Sequence, residues 1–332
     1  MLIVVIITVV AALLFDFLNG MNDAGNSIAT IVATRVLPPR IAVLWAAFFN
    51  FLALAIFGVH VATTVGKGIV DTAALKGDPY FILAAILGAG TWVFLCAKKG
   101  IPNSVSHALI GGLIGPALIK VGTKAVLFSG VFKIAIFIVL APLIGMVLGY
   151  LMMTITLHIW GKKPPAKIDN YFRFFQLASS AAFSLGHGGN DAQKTMGIIA
   201  VLLYSTGYSG PVFHVPAWVV ICAYSAIALG TMTGAWKVIK TLGVKLTHLK
   251  PIGGFCAETA GAITLFVVTF AGIPVSTTHT ITGAIMGVGV TKRITAVKWG
   301  LAGNIVIAWV VTIPATIILS SMVYWIFTLI IR

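Results

Sequence analysis

Long apolar stretches without a formal charge alternate with short polar clusters along this chain. The uncharged stretches run from 19 to 33 residues and cover positions 41–66, 79–97, 134–161, 259–291 and 299–331. Each is long enough to cross a hydrocarbon core of about 30 Å as a helix. They are continuously apolar and lack the alternation of a transmembrane barrel strand, so helices must satisfy the backbone. The pattern predicts an all-α polytopic membrane protein.

Composition narrows the class further. The chain is 59% hydrophobic and 9% charged, and its net charge is +15. We expect no nucleic-acid partner, because loop Lys and Arg in a membrane protein mainly set its orientation. The first 17 residues lack a basic leader and are interpreted as a retained span. Cys96, Cys222 and Cys256 have no ligand spacing, which favours buried, inert thiols.

The polar clusters occur twice in the same order. The stretch "NGMNDAGNSIATIVA" from residue 19 is similar to "GHGGNDAQKTMGIIA" from residue 186, and "GIPNSVSHALIGGLIG" from residue 100 is similar to "GIPVSTTHTITGAIMG" from residue 272. Pro142 and Pro314 keep the spacing of the second pair. Chance similarity between apolar helices rarely reproduces polar residues in order, so the chain contains an internal duplication.

The duplication divides the chain into a first membrane repeat, 1–160, a basic cytoplasmic linker, 161–173, and a second membrane repeat, 174–332. Each repeat is predicted to hold an interrupted span with the Asn-Asp pair, a full span, two short segments meeting at Gly-Ile-Pro, and a long last span. If the Gly-Ile-Pro pair is a re-entrant hairpin, each half crosses an odd number of times. The expected fold is therefore two inverted-topology repeats with broken helices and re-entrant hairpins.

The distribution of Lys and Arg agrees with inversion. In that topology the cytoplasmic side holds thirteen of them and the opposite side six, which predicts that both termini lie outside. The thirteen are Arg35, Arg40, Lys162, Lys163, Lys167, Arg173, Lys237, Lys240, Lys245, Lys250, Lys292, Arg293 and Lys298, and the six are Lys67, Lys76, Lys120, Lys124, Lys133 and Arg332. The expected location is a cell inner membrane or plasma membrane.

Four acidic residues fall inside apolar stretches: Asp16, Asp23, Asp191 and Glu258. A charge at the bilayer centre costs about 2.5 to 3.5 kcal/mol even on an insertion scale, so such an acid suggests a function. The alternative is a structural carboxylate that pairs with a buried Lys or caps a helix. Two Asp at repeat-related positions favour the functional interpretation.

The Asn-Asp clusters predict breaks in their helices, because Gly, Asn and Asp all favour leaving a helix. Carbonyl ends beside carboxylate and amide oxygens would form a site for a hard cation such as sodium. The predicted sodium ligands are Asn22, Asp23, Asn26, Asn190 and Asp191.

The Gly-Ile-Pro clusters predict a site for an anion rather than for a cation. Helices that restart after Pro102 and Pro274 present free amides, a positive dipole end and hydroxyl groups, which together suit an oxyanion. The predicted substrate ligands there are Ser104, Val105, Ser106, Ser276, Thr277 and Thr278. The alternative is that the hydroxyls only cap these helices.

Three further side chains carry open alternatives. His107 and His279 either fix their hairpins through hydrogen bonds or take part in proton coupling, while metal binding has weak support. Lys194 aligns with Asn26, so it either replaces a bound cation and pairs with Asp191, reaches the substrate as a point charge, or extends to water.

These motifs resemble the inorganic phosphate transporter (PiT) family, through "GMNDAGN", "GGNDAQK", "GIPNSVSH", "GIPVSTTH" and "CAETAGA". The resemblance covers essentially the whole chain, and the lack of a large central hydrophilic segment points to the prokaryotic type. It implies a homodimeric secondary symporter in the lipid bilayer that imports inorganic phosphate with sodium or protons and needs no cofactor.

Carried onto this sequence, the resemblance makes Asn22, Asp23, Asn190 and Asp191 ligands of ion and substrate. It makes the hydroxyls of the two hairpin tips a phosphate cradle, and Glu258 matches an acid that precedes the second hairpin. Sulfate stays open as the substrate, because some relatives carry it.

Two functions from other classes are alternatives to transport, and the sequence argues against both. An intramembrane hydrolase would need one asymmetric nucleophile with its base, whereas these motifs are duplicated. An anion channel has no use for buried carboxylates beside its anion unless a cation lies between them.

Overall fold

The computed structural model describes residues 1–71 and 77–331, apart from the side chain of Val244. In these residues the chain forms helices and no β-strand, with one isolated bridge between Val70 and Val126. The helices of the first half are α1 (Leu2–Ala33), α2 (Pro39–Leu52), α3 (His60–Gly68), α4 (Pro79–Lys99), α5 (Val105–Lys120) and α6 (Phe128–Trp160). Those of the second half are α7 (Pro165–Ser205), α8 (Ala217–Thr233), α9 (Trp236–Lys240), α10 (Pro251–Phe270), α11 (Thr277–Val290) and α12 (Trp299–Ile330).

The two halves have the same order of elements, and several helices are long and apolar enough to cross a membrane. Among the described residues five helices qualify as spans by length and composition, and two bent pairs raise the number to seven. The bent pairs are α2 with α3, at 84°, and α8 with the segment that begins with α9, at 67°. The prediction of an all-α polytopic protein is confirmed. Lys76 and Arg332, which the orientation count uses, lie outside the described residues.

The predicted breaks at the Asn-Asp clusters are wrong, because α1 and α7 run through them as continuous helices. Their glycines serve close packing instead. A Cβ at Gly20 would lie 2.1 Å from the carbonyl oxygen of Ile227, and a Cβ at the equivalent Gly188 would lie 2.5 Å from that of Asn50. The broken helices are instead the second spans of each half. In the second half, Gly234 lies at the break with a positive φ of 61°. Side chains, rather than carbonyl ends, must therefore supply any ligands in α1 and α7.

Helices α1 and α7 lie side by side and run in opposite directions. The Thr34 hydroxyl donates to Gln176 Oε1 at 2.8 Å, whereas Ser27 Oγ lies 3.3 Å from His187 Nδ1. Residue numbers therefore fall along α1 as they rise along α7. One hydrophobic core joins the first half of α1 to the second half of α7, and another joins the opposite halves. This arrangement confirms the inverted repeats.

Each Gly-Ile-Pro cluster forms the tip of a hairpin, α4–α5 and α10–α11. Gly100 and Gly272 end the first helix of each pair with φ of 74° and 67°, values that favour glycine. At the open end of the first hairpin, Asp78 Oδ2 accepts from Lys120 at 2.8 Å and from the Tyr324 hydroxyl at 2.7 Å. The hairpin thus returns to the side it came from. Its first helix and that of the second hairpin are full-length spans rather than the short segments that the sequence predicts.

The long last helix of each half packs on the hairpin of the other half. Helix α12 lies against α5, where Gly111 and Gly115 face Thr316 and Ser320, and α6 lies against α11. The small residues let the backbones approach closely, as is common between membrane helices. Between the halves only residues 161–164 are outside helices, because α7 begins at Pro165.

Candidate functional site

Two facing rows of buried polar side chains form a seam between α1 and α7, which we call the polar seam. On α1 the row follows the three- and four-residue spacing of one helix face. It contains Asp16, Asn19, Asp23, Asn26 and Thr30, all with no more than 2% of their surface exposed. The row on α7 contains Gln176, Ser180, Ser184, His187, Asp191 and Lys194, all buried.

The two aspartates meet at the middle of the seam, under the tip of the second hairpin. The Thr277 hydroxyl oxygen lies 3.2 Å from Asp23 Oδ2 and 3.2 Å from Asp191 Oδ2. A hydroxyl carries one proton, so it can donate to only one carboxylate at a time. Asp23 also lies 3.4 Å from the Thr278 hydroxyl and accepts from Asn22 Nδ2 at 2.6 Å. The centre therefore has more acceptors than donors.

Lys194 neutralises one of the two carboxylates. Its Nζ donates to Asp191 Oδ1 at 2.5 Å and to the carbonyl oxygen of Val275, in the second hairpin, at 2.8 Å. Lys194 is 3% exposed, so the alternative in which it extends to water is wrong. If both aspartates are ionised, the three side chains leave one net negative charge in a buried place.

His187 adds a third acceptor that the sequence did not reveal. Its Nδ1 lies 3.1 Å from Asn50 Oδ1, and Asn50 Nδ2 donates to Thr231, so Nδ1 carries the proton. In the neutral ring Nε2 is then the acceptor, and it lies 3.5 Å from Asp191 Oδ2. Ligand atoms of Asp23, His187 and Asp191 all lie within 4.8 Å of one another, a geometry that can hold a cation. His187 aligns with Asn19 rather than another His, so the duplication gave no signal for it.

Two of the predicted amide ligands have free oxygen atoms. Asn22 Oδ1 and Asn26 Oδ1 are buried and have no hydrogen-bond donor among the described residues. Asn26 Nδ2 donates to Thr278 Oγ1 at 2.9 Å, which directs its amide toward the second hairpin. Oxygen atoms without donors beside carboxylates are the ligands that hard cations prefer.

Asn190 has a different environment from its counterpart Asn22. Its Nδ2 donates to the hydroxyl of Thr269 at 3.0 Å, and its Oδ1 accepts from the backbone amide of Val275 at 3.3 Å. Both partners belong to the second hairpin. Asn190 thus fastens that hairpin, and its amide is less free than that of Asn22.

The serines that open α5 and α11 cap these helices. Ser104 Oγ accepts from the amide of His107 at 3.2 Å, and Ser276 Oγ accepts from the amide of His279 at 3.3 Å. The first two amides of each helix, at 105–106 and 277–278, come before the first intrahelical hydrogen bond. These four N–H groups and the dipoles of both helices suit an anion. Ser106 joins the tips by donating to the carbonyl oxygen of Val275 at 3.0 Å.

The two hairpin histidines lie against each other. The ring centroids of His107 and His279 are 4.6 Å apart with perpendicular planes. His107 Nδ1 lies 3.4 Å from the Trp309 carbonyl oxygen, and His279 Nδ1 lies 3.2 Å from that of Ile138. Each ring therefore joins its hairpin to the long helix of the other repeat.

The other two buried acids lie at opposite ends of the seam, away from the hairpin tips. Glu258 accepts from Ser179 at 2.6 Å, from Gln176 at 3.1 Å and from the Thr30 hydroxyl. Asp16 lies beside Asn19, whose Nδ2 is 3.5 Å from Asp16 Oδ1. The site residues of the sequence analysis therefore form one centre and two flanking clusters.

Comparison with known proteins agrees with this arrangement. The sequence pattern of a family described as "Phosphate transporter family" matches residues 19–167 and again 160–320, once for each repeat. A protein of Rhizobium meliloti named "Probable low-affinity inorganic phosphate transporter" is 56% identical over 96% of this chain and 94% of its own length. A Bacillus subtilis protein with the same name is 40% identical over 99% of both chains.

A solved structure has the same fold. It is described as "The sodium-dependent phosphate transporter", and it aligns with a TM-score of 0.89 and 26% identity over 98% of this chain and 99% of its own. Its correspondence extends through both hairpins and both long last helices. The chain belongs to the phosphate transporter family, a family of multi-pass membrane transporters rather than enzymes.

Proposed function

We propose that the protein imports inorganic phosphate by symport with a cation, and that sodium rather than a proton is the coupling ion. We further propose that it works as a homodimer in a cell inner membrane or plasma membrane, with both termini outside. The names of its relatives support phosphate as the substrate, and that of the structural neighbour supports sodium.

The shortage of donors around Asp23 and Asp191 is the observation that carries the cation requirement. Two carboxylates share the single proton of Thr277, and His187 Nε2 lies 3.5 Å from Asp191 Oδ2. Lys194 supplies one positive charge to this group. One mobile cation would bring the centre to neutrality, and Asn22 Oδ1 and Asn26 Oδ1 are available as further ligands.

The hairpin tips offer the place for phosphate. Free amides at 105–106 and 277–278 lie at two helix starts that meet through Ser106 and Val275. Phosphate there would lie close to Asp23 and Asp191 and would be repelled unless a cation lies between them. Substrate and cation thus stabilise each other, which is the physical basis of coupled transport.

Uptake by purified protein in liposomes tests the proposal. We expect labelled phosphate to accumulate when an inward sodium gradient is imposed. We also expect this uptake to persist in a tenfold excess of sulfate, which requires phosphate to bind more tightly than sulfate by more than about 1.4 kcal/mol. Uptake that is driven by a pH gradient in the absence of sodium would show that protons, rather than sodium, are the coupling ion. Uptake that needs no cation at all, or competition by sulfate equal to that by phosphate, would contradict the proposal.

A further inference from the structure

A groove beside the tip of the first hairpin lies outside the site described above. Its volume is about 550 Å³, and its walls come from α4, the hairpin tip that follows α4, the π-helical segment Thr241–Lys245 after α9, and α12. Most of the lining is apolar, with Trp92, Leu95, Ile305 and Val311 among the side chains. Leu95 is 42% exposed and Val311 is 43% exposed, so the groove opens on the lipid-facing surface of the bundle.

One end of the groove is basic. Lys99 and Lys245 line it, and both are exposed. In the part of the chain that the structure describes, neither lysine forms a salt bridge. Lys237 lies close by, because its Nζ donates to the carbonyl oxygen of Lys98 at 3.0 Å. This end therefore holds several positive charges, and no carboxylate of the described residues forms a salt bridge with them.

We propose that the groove binds one acidic phospholipid, with an acyl chain along the apolar wall and the headgroup phosphate on Lys99 and Lys245. The combination fits a lipid because an apolar channel ends at two unpaired cations, as in basic lipid sites between membrane helices. A free phosphate ion would gain the same charges but would also meet the apolar wall, which offers it no hydrogen bonds.

The position of the groove gives the bound lipid an effect on transport. Gly100, Ile101 and Pro102 belong to its lining, and the next residues of the chain lead to the capping Ser104 of α5. Thr241 also lines the groove, and its hydroxyl oxygen lies 3.2 Å from the Gly100 carbonyl oxygen and 3.0 Å from that of Lys237. A lipid seated here lies against the segment that must move if the first hairpin opens.

Fluorescence quenching of Trp92 in the full-length protein tests this inference. The protein is reconstituted with phosphatidylcholine, and brominated phosphatidylglycerol or brominated phosphatidylcholine is titrated in. The fluorescence of Trp92 is obtained by subtracting the fluorescence of the Trp92→Phe variant from that of the unsubstituted protein. We expect the acidic lipid to quench it at a concentration roughly tenfold lower than the neutral lipid does, because each lysine adds attraction for the anion.

The double variant Lys99→Gln/Lys245→Gln should lose this preference, whereas Lys162→Gln/Lys167→Gln should keep it. The control pair removes the same charge from exposed positions at the start of α7 and the turn before it. Equal quenching by both lipids in the unsubstituted protein, or a preference that survives the first pair, would overturn the inference. So would displacement of the acidic lipid by millimolar inorganic phosphate, which would show that the lysines hold a free anion.

Discussion

At the scale of single residues, a few charges and one hydroxyl proton determine what the centre can bind. Asp23, Asp191 and Lys194 carry the formal charges, and Thr277 connects the two carboxylates. Their burial makes each charge expensive unless it is paired. The effect of a substitution therefore depends on whether it changes charge, hydrogen bonding or both.

Replacing Asp23 with Asn should separate charge from hydrogen bonding. The amide oxygen of Asn can still accept from Thr277 and Thr278, so we expect the variant to fold. A cation would lose a charged ligand worth about 1.5 to 3 kcal/mol, so the sodium concentration for half-maximal uptake should rise roughly 10- to 100-fold. Sodium titration of phosphate uptake measures this. Asp169→Asn, which makes the same change at the start of α7, should leave the titration unchanged, and an unchanged titration in Asp23→Asn would contradict the role.

Two substitutions of Lys194 should behave differently. Lys194→Met leaves Asp191 as an unpaired buried charge, so we expect a loss of roughly 3 to 5 kcal/mol in the free energy of unfolding and loss of uptake. The double variant Lys194→Met/Asp191→Asn should regain stability but not transport. Thermal unfolding in detergent and uptake together distinguish these outcomes.

Lys194→Asn recreates in the second repeat the residue that the first repeat has at position 26. A mobile ion must then replace the tethered ammonium, so uptake should depend more steeply on sodium concentration. If uptake is normal and its dependence on sodium concentration is no steeper than in the unsubstituted protein, Lys194 does not occupy the place of an ion.

At the scale of helices, glycines determine how closely the elements approach. Gly20 and Gly188 occupy repeat-related positions, and each faces a backbone carbonyl of a helix in the other repeat. The same holds for α5 and α11, whose glycines face α12 and α6. These contacts leave no room for a Cβ atom.

A methyl group at Gly20 tests this packing. Gly20→Ala would place its Cβ 2.1 Å from the Ile227 carbonyl oxygen, so the helices must separate. We expect a loss of about 1 to 3 kcal/mol in the free energy of unfolding, typical of overpacking. Gly303→Ala is the matched control, because a Cβ there meets nothing within 4 Å. Equal melting temperatures for the two variants would show that the gap at Gly20 can widen without cost.

The same glycines explain which elements the sequence could predict. The duplicated Gly-Ile-Pro clusters indicated both hairpins, because Pro and Gly restrict the local backbone directly. Near Asn22, however, Gly and Asn were interpreted as a helix break, although tertiary packing keeps α1 continuous. Local propensity cannot distinguish a glycine that ends a helix from one that allows a neighbouring helix to pack closely. His187 was missed for a similar reason, since its role depends on contacts with the distant Asn50 and Asp191.

At the scale of the whole molecule, the antiparallel course of α1 and α7 relates the two repeats by inversion. The distribution of Lys and Arg then predicts the orientation in the membrane. The loop that precedes α6 and the turn that precedes α7 should lie on opposite sides, because α6 is long and apolar enough to span the bilayer.

Labelling of single cysteines tests that orientation. In a background with Cys96, Cys222 and Cys256 changed to Ser, we expect Lys124→Cys to react with a membrane-impermeant maleimide in intact cells. Lys162→Cys should react only after permeabilisation. The reverse pattern would invert the topology, and labelling of both in intact cells would contradict a single orientation.

The packing of each long last helix on the opposite hairpin has a consequence for the order of synthesis. Helix α5 is made early, yet the surface that holds Gly111 and Gly115 is covered only when α12, which begins at Trp299, has entered the membrane. The ribosome has therefore synthesised every helix from α6 to α11 before the first hairpin finds its partner. A nascent chain stopped before Trp299 would keep this hairpin uncovered, so the quality-control machinery of the membrane can meet it throughout the synthesis of those helices.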